Sequence, residues 1–301
     1  MKNRILVGVV TYNRLELLKR CIYYINKQTF QNFELLIVNN GSDDGTSDYL
    51  LNNKIKHINN IKSGSALGWY TALEYSYKNN YDLVWLMDDD GFPEKNSLEI
   101  LLNSIDINVH ACLSSLVVKE NNPNSLVFPL PITDKNQHPV FNFISKGAND
   151  LRIIKNQSKK NLYNFVHLFN GALINLKITK QIINVNLDYF HHGVELDYYY
   201  RLSKKGKMFT HCKSLQYHPD VSKRILDIYW IFYYVKNSII INKLYLNQPL
   251  LRNLKVVLAS LIRIIIRNGM MYFLFNFIFN KNIKIFIRAI KDGFNIKYSK
   301  L

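Results

Sequence analysis

Along its N-terminal part the chain alternates between two hydrophobic patterns. Ile5–Val10 (ILVGVV), Phe33–Asn39 (FELLIVN) and Leu83–Met87 (LVWLM) are short, nearly continuous apolar runs. Runs of that length and density are the signature of strands buried on both faces. Ile55–Ile58 is a weaker candidate of the same kind. Between them, Arg14–Lys27 and Leu67–Lys78 carry Leu, Ile, Tyr and Trp at helical spacing, and Thr46–Asn52 reads as a short helix. Strands alternating with helices predict an α/β fold with a Rossmann-like, mostly parallel sheet flanked by helices. Such sheets bind ligands beyond the carboxyl ends of their strands. The polar turns after each run are therefore where chemistry is expected.

The pattern loosens between Lys119 and Lys160. Prolines 123, 129, 131 and 139 and many Asn and Lys residues predict long loops and short strands, an arrangement suited to a substrate-facing insertion. Order returns at Phe165–Leu176. Beyond Asp220 the character changes again. Ile225–Leu246 is dense in aromatics, Leu250–Asn268 mixes aliphatics with Arg252, Lys255, Arg263 and Arg267, and Met270–Phe279 is almost wholly apolar. Two regions are expected: a catalytic domain over 1–220 and a basic, aromatic helical region over 221–301.

Three polar turns follow the apolar runs. Thr11-Tyr12-Asn13-Arg14 follows the first, and Asn39-Asn40-Gly41-Ser42-Asp43-Asp44-Gly45-Thr46 the second. Asp88-Asp89-Asp90 follows LVWLM and precedes Gly91-Phe92-Pro93. Three adjacent carboxylates at a strand end repel one another and raise each other's pKa, which a divalent cation relieves. Hard oxygen donors suit Mn²⁺ or Mg²⁺. Alternate residues of an extended segment share a direction, so Asp88 and Asp90 can face one ion while Asp89 points elsewhere. A second constellation, Glu195 and Asp197, opens a helix-like segment before Arg201. The two lie about 200° apart around a helix, so both cannot face one point.

These segments resemble the family 2 glycosyltransferases, inverting sugar transferases of the GT-A fold. The resemblance is carried by VVTYNR (Val9–Arg14), LLIVNNGSDDGT (Leu35–Thr46), SGSALGW (Ser63–Trp69) and VWLMDDDGFP (Val84–Pro93). Further on come FNGALI (Phe169–Ile174), HHGVELDYYYRLSKKGK (His191–Lys207) and Tyr217-His218. The WLMDDDG form is most similar to the galactofuranosyl- and rhamnosyltransferase branch. The resemblance implies that Thr11 and Asn13 lie against the base and ribose of a nucleotide-sugar donor, with Asp44 and Asp89 in the same site. Asn39 stands where many members have an Asp, which leaves uridine and thymidine both open. Gly64 and Gly68 would let the backbone approach the nucleotide sugar. Asp88 and Asp90 would hold the metal, with His218 completing its site. Glu195 aligns best with the base that deprotonates the acceptor, and Asp197 is the alternative. Donors of the branch include UDP-galactofuranose, with dTDP-rhamnose or a UDP-hexose as alternatives. The acceptor would be a growing cell-surface glycan, often lipid-linked.

Composition adds three constraints. Apolar residues make up 48% of the 301, enough for a substantial core, and three cysteines are too few for a disulfide framework. No secretory signal is read at the start, so a reducing, cytoplasmic setting is expected. The net charge of +17 is concentrated at the end, where Val221–Leu301 holds fourteen Lys and Arg against Asp227 and Asp292 alone. Basic, aromatic, amphipathic helices read as interfacial membrane segments, so peripheral contact with the inner face of the cell membrane is expected. The longest charge-free apolar stretch there, Asn268–Asn280, is 13 residues, short of the ~20 needed to span a bilayer. A basic nucleic-acid-binding protein is the alternative the charge allows. No nucleic-acid motif accompanies it, and bare carboxylates at the sheet edge would repel phosphates.

Overall fold

The apolar runs form the strands expected of them, and the helical patterns lie between. The computed structural model describes residues 3–62, 64–143, 147–182, 184–222 and 224–301. β1 (Ile5–Thr11), β2 (Glu34–Asn39), β3 (His57–Asn59) and β4 (Leu83–Asp88) alternate with α1 (Leu15–Ile25), α2 (Thr46–Asn52) and α3 (Ser65–Lys78). The middle of the chain supplies β5 (Phe92–Pro93), α4 (Ser97–Ser104), β6 (His110–Lys119), β7 (Asn122–Leu130), β8 (Ala148–Asp150), α5 (Leu151–Gln157), β9 (Leu162–Tyr163), β10 (Asn170–Asn175) and α6 (Leu176–Thr179). Then come α7 (Val194–Ser203) and β11 (Lys207–His218). The C-terminal region is helical, with α8 (Ile228–Tyr245), α9 (Pro249–Asn268), a π-helical segment (Tyr272–Ile278) and α10 (Lys281–Phe294).

The main sheet runs β3-β2-β1-β4-β10-β6-β11-β5. Its first four strands are parallel, in register Thr11↔Asn39 and Val10↔Asp88 at the carboxyl ends. This brings the three polar turns side by side. β10 departs from the simple alternation: it lies antiparallel between β4 and β6, while β6 and β11 are parallel to each other. A parallel neighbour requires a crossover. β10 instead arrives after the long insertion and enters from the opposite end.

Alternation along β1 divides the interior. Ile5, Val7 and Val9 face a core built with Leu18 and Ile22 of α1 and Leu98 and Leu101 of α4. Leu6 and Val10 face the other, with Trp69 and Leu73 of α3 and Tyr198 and Tyr199 of α7. A third core holds the C-terminal helices together through Phe232, Ile239, Ile264, Phe277 and Phe286. The boundary expected after residue 220 precedes α8, yet α8 also gives Ile240 and Ile241 to the core around α3 and α7. Asn237 Nδ2 donates to the carbonyls of His191 and His192, just ahead of α7. The C-terminal region is thus anchored to the segment that carries Glu195.

Candidate active site

β4 ends at Asp88, and the next two residues turn across the ends of β1 and β11. Each of the three carboxylates has a different environment. Asp89 is 2% exposed and accepts from the Thr11 hydroxyl at 2.6 Å and from Arg14 Nη1 at 3.1 Å. Burial nevertheless holds its pKa up at about 6, against the opposing pull of Arg14 and Thr11. Asp90 accepts from Arg14 Nη1 at 2.8 Å, and its other oxygen lies 3.1 Å from His218 Nε2. Burial disfavours the charge on both Asp90 and His218. Their mutual contact outweighs it, lowering the Asp90 pKa and raising that of His218. Asp88 forms no side-chain hydrogen bond or ion pair with a described residue. Burial first, then the charges of Asp90 and Asp89, push its pKa well above the ordinary value.

That asymmetry is the test of whether a divalent cation fits. Asp88 makes no ion pair with a described residue and feels Arg14 only at longer range, beside a second carboxylate that borrows positive charge from Arg14 and His218. The donors are carboxylate oxygens and an imidazole nitrogen, a set that Mn²⁺ and Mg²⁺ accept. The donor chemistry fits, although among the described residues no three His, Cys, Asp or Glu side chains already converge as a formed metal site.

Glu195 lies in the first turn of α7. Its Oε1 accepts from Leu168 N at 2.7 Å and lies 3.5 Å from His167 Nδ1. Oε2 makes no hydrogen bond to a described residue. Glu195 is near enough that its charge adds to those raising Asp88. Asp197 is placed differently. It is 4% exposed and accepts from Arg201 Nε and Nη2 at 2.9 and 2.7 Å and from Tyr245 Oη at 2.7 Å. Its oxygens are occupied in a buried network joining α7 to α8, which sets it apart from the open carboxylate of Glu195.

The residues expected around the nucleotide are brought to this edge, but several are turned inward. Asn13 Nδ2 donates to Asp43, and Asn13 Oδ1 accepts from Asp43 N, locking the first turn to the second. Asp44 accepts from Leu15 N and from Thr46, so it fastens the start of α1 to the second turn. Asn39 is 1% exposed. Its amide donates to Ser47 and Asn59, and its oxygen accepts from Ser42 N. Both glycines stand against protein on the side where a Cβ would project. A Cβ on Gly64 would lie 2.0 Å from the Phe190 carbonyl oxygen, and one on Gly68 would lie 2.4 Å from Val10 Cγ1. The space above both is filled by protein: Gly68 seats α3 on β1, and Gly64 lets the start of α3 meet the 190 segment. Ser63, which opens that motif, lies outside the described residues.

Three residues join the site unannounced by the sequence reading. Arg14 spans Asp89 and Asp90, and its place in TYNR was the available signal. His167 flanks Glu195, and a lone histidine outside a spaced motif carries no such signal. Phe128 of β7 packs its ring edge against both His167 and His218, 5.4 and 5.3 Å between centroids.

The pattern of glycosyl transferase family 2 matches residues 6–165, more than half of the chain and the whole run of strand-end turns. The chain belongs to glycosyl transferase family 2. It is a glycosyltransferase. Similar proteins include the galactofuranosyltransferase GlfT1 of Mycolicibacterium smegmatis, 26% identical over 217 residues, 70% of this chain and 69% of that protein. The GlfT1 of Mycobacterium tuberculosis is 27% identical over 229 residues, covering 73% and 71%. Among solved structures, the mannosyltransferase PcManGT from Pyrobaculum calidifontis, in complex with GDP-Man and Mn²⁺, superposes with a TM-score of 0.56 at 13% identity. It covers 98% of this chain and 88% of its own. S. aureus TarS 1-349 in complex with UDP gives 0.57 at 14% identity, covering 96% and 81%. At these identities the two structures bear on the fold, which is the GT-A architecture that the resemblance implied.

Proposed function

We propose that this glycosyltransferase is an inverting, metal-dependent enzyme that transfers a sugar from a nucleoside-diphosphate donor to a growing cell-surface glycan. The observation that carries the reading is Asp88, which makes no hydrogen bond or ion pair with a described residue and stands near enough to Glu195 for their charges to act on each other. Asp88, Asp90 and His218 would hold Mn²⁺ or Mg²⁺, which when bound supplies positive charge for the departing diphosphate. Arg14 and Thr11 hold Asp89 and keep the turn in shape. Glu195 is the general base: Leu168 N–H fixes one oxygen, and the other accepts the proton of the acceptor hydroxyl. The acceptor oxygen bonds to the anomeric carbon as the bond to the diphosphate oxygen breaks, with inversion and no covalent enzyme intermediate. UDP-galactofuranose is the favoured donor, supported by relatives named galactofuranosyltransferase, with dTDP-rhamnose and UDP-hexoses as alternatives. A nucleotide-release screen across these donors, with membrane extract as acceptor and Mn²⁺ or EDTA present, tests it. Release that is equal for all donors, or unaffected by EDTA, overturns the assignment.

We also infer that the C-terminal helices rest on the anionic inner surface of the cell membrane. Among the described residues no helix is long and apolar enough to cross a membrane. Along α9, however, Leu250, Leu254, Leu258, Ile262 and Ile266 form an exposed row at four-residue spacing, with Ile266 75% exposed. Such a row beside Lys and Arg matches a surface that is apolar below and negative above.

A further inference from the structure

Beside that row, a cleft of about 440 Å³ opens between α9 and the loop that follows β7. One wall is apolar, formed by Pro129, Pro131, Pro139 and Phe141; the other carries Arg252, Lys255 and Arg263. No Asp or Glu lines it among the described residues. Arg252 is 8% exposed and lies over the Phe141 ring at 5.4 Å. It donates through Nε and Nη2 to Asn247 and to the Pro139 carbonyl, while its Nη1 group donates to no described residue. The Arg263 guanidinium sits over the Tyr234 ring at 5.0 Å and makes no hydrogen bond to a described residue. Lys255 Nζ donates to the Asn142 carbonyl. Burial, then the charges of Arg252 and Arg263, lower the Lys255 pKa.

Arg252 is buried and Lys255 and Arg263 are half-buried beside it, so holding the three cations together is costly unless a ligand brings compensating charge. Planar guanidinium forks suit phosphate oxygens, and the lysine adds a point charge. We propose that this cleft binds a phosphate or diphosphate group, with any attached apolar chain following the exposed row of α9. The cleft is also placed to serve the reaction. Phe128, packed against His167 and His218, is three residues along the chain from Pro131, about 10 Å at strand spacing. The phosphate has two possible sources, a lipid headgroup or a soluble phosphorylated compound. The lipid source rests on the membrane contact proposed above.

The test uses the full chain in EDTA, so that metal-assisted binding at Asp88 and Asp90 is silent. Calorimetry with inorganic pyrophosphate is compared with flotation on two kinds of phosphatidylcholine vesicle. One kind carries phosphatidic acid and the other an equal charge of a carboxylate-headed lipid. The variants are Lys255→Gln/Arg263→Gln, which leaves the Arg252 bonds intact, and Arg252→Lys, which keeps the charge and loses the fork. Circular dichroism verifies folding. The wild type is expected to bind pyrophosphate saturably and to prefer phosphatidic acid. The double variant is expected to lose at least tenfold in pyrophosphate affinity together with that preference. Loss of pyrophosphate binding alone, with no headgroup preference in the wild type, identifies the soluble source. If the wild type ignores both vesicles but the pyrophosphate loss is seen, the membrane reading fails and the cleft stands. Pyrophosphate binding that is absent in the wild type, or equal in the wild type and the double variant, overturns the cleft.

Discussion

Two carboxylates, two positions apart on one helix, stand in different surroundings. No described residue hydrogen-bonds Glu195 Oε2, whereas both oxygens of Asp197 are taken. Glu195→Gln retains shape and hydrogen bonding to Leu168 but takes no proton at neutral pH. Donor binding near wild type is expected, with turnover reduced on the order of 10²–10⁴-fold, the usual contribution of a general base. Titration with UDP and single-turnover kinetics separate the two quantities. Asp197→Ala takes the carboxylate from Arg201, whose Nη1 keeps its bond to the Asn184 carbonyl, and removes the acceptor of Tyr245. A loss of about 3–5 kcal/mol is expected in denaturant unfolding, the cost of breaking a buried ion pair. If Asp197→Asn instead shows normal stability and the turnover defect, the two roles are exchanged. The aspartate cluster predicts a pH-dependent response to metal. Asp89 rises from an ordinary 3.8 to about 6, and burial with the charges of Asp90 and Asp89 holds Asp88 well above the same starting value. Raised folded-state values mean that their contribution to stability is lost as pH climbs through them. The metal-free protein therefore weakens from these groups as pH climbs from about 4 toward neutral, and a bound cation offsets the loss. The rise in melting temperature on adding Mn²⁺ should be larger at pH 8 than at pH 5 and should vanish in Asp88→Asn. Equal shifts in the variant would exclude Asp88 as a ligand.

Elements written as local patterns were legible; those built from distant pairings were not. β1, β2 and β4 and the turns after them follow from apolar runs and their punctuation. The parallel register then brings Thr11, Asn39 and Asp88 to one edge with no further information needed. At Phe165–Leu176, where β10 lies, the pattern showed returning order but no sign of an antiparallel strand, because orientation depends on where the chain returns after the insertion. The glycine motif was visible while the close packing it permits was not, since the atoms it accommodates, in Val10 and Phe190, are remote in sequence. Asn39 and Asp44 show the same limit. Their side chains can accept ligand hydrogen bonds, but the neighbouring turns use them first. In the C-terminal helices the hidden feature is Lys236 of α8, wholly buried, its Nζ bonded to the Ser299 carbonyl and set over the rings of Phe232 and Tyr233. Burial lowers its pKa to about 8 from an ordinary 10.5. The folded state therefore holds fewer protons than the unfolded chain between those values, and stability rises with pH across that window. Lys236→Met should abolish that rise. Chemical unfolding of both proteins at pH 7.5, 9 and 10 checks it, and parallel curves would refute the assignment.

For the molecule as a whole, charge and catalysis lie at opposite ends of the chain yet meet in space. The full chain should float with anionic vesicles and be released only in part by high salt, because salt screens the Lys and Arg attraction but not apolar insertion. Leu258→Asp/Ile262→Asp should abolish flotation and leave UDP binding unchanged. A protein that stays behind at low salt would exclude the membrane contact. A chain ending at Ser222 is a poorer experiment than the domain boundary suggests. It would remove Ile240 and Ile241 from the core around α3 and the bonds of Asn237 and Tyr245 to the α7 region. It should melt well below the full chain, as a thermal scan will show.

The Tyr245–Asp197 bond has a practical consequence. It ties the helices that face the proposed lipid surface to the turn of α7 that holds Glu195. A fragment, fusion tag or detergent that draws α8 away would therefore appear in an assay as a dead active site, although every catalytic atom was intact. Inhibitor screens and activity surveys on shortened or detergent-extracted preparations would then count a mechanical fault as a chemical one. Restoring activity by adding back vesicles, without altering the sequence, would distinguish the two.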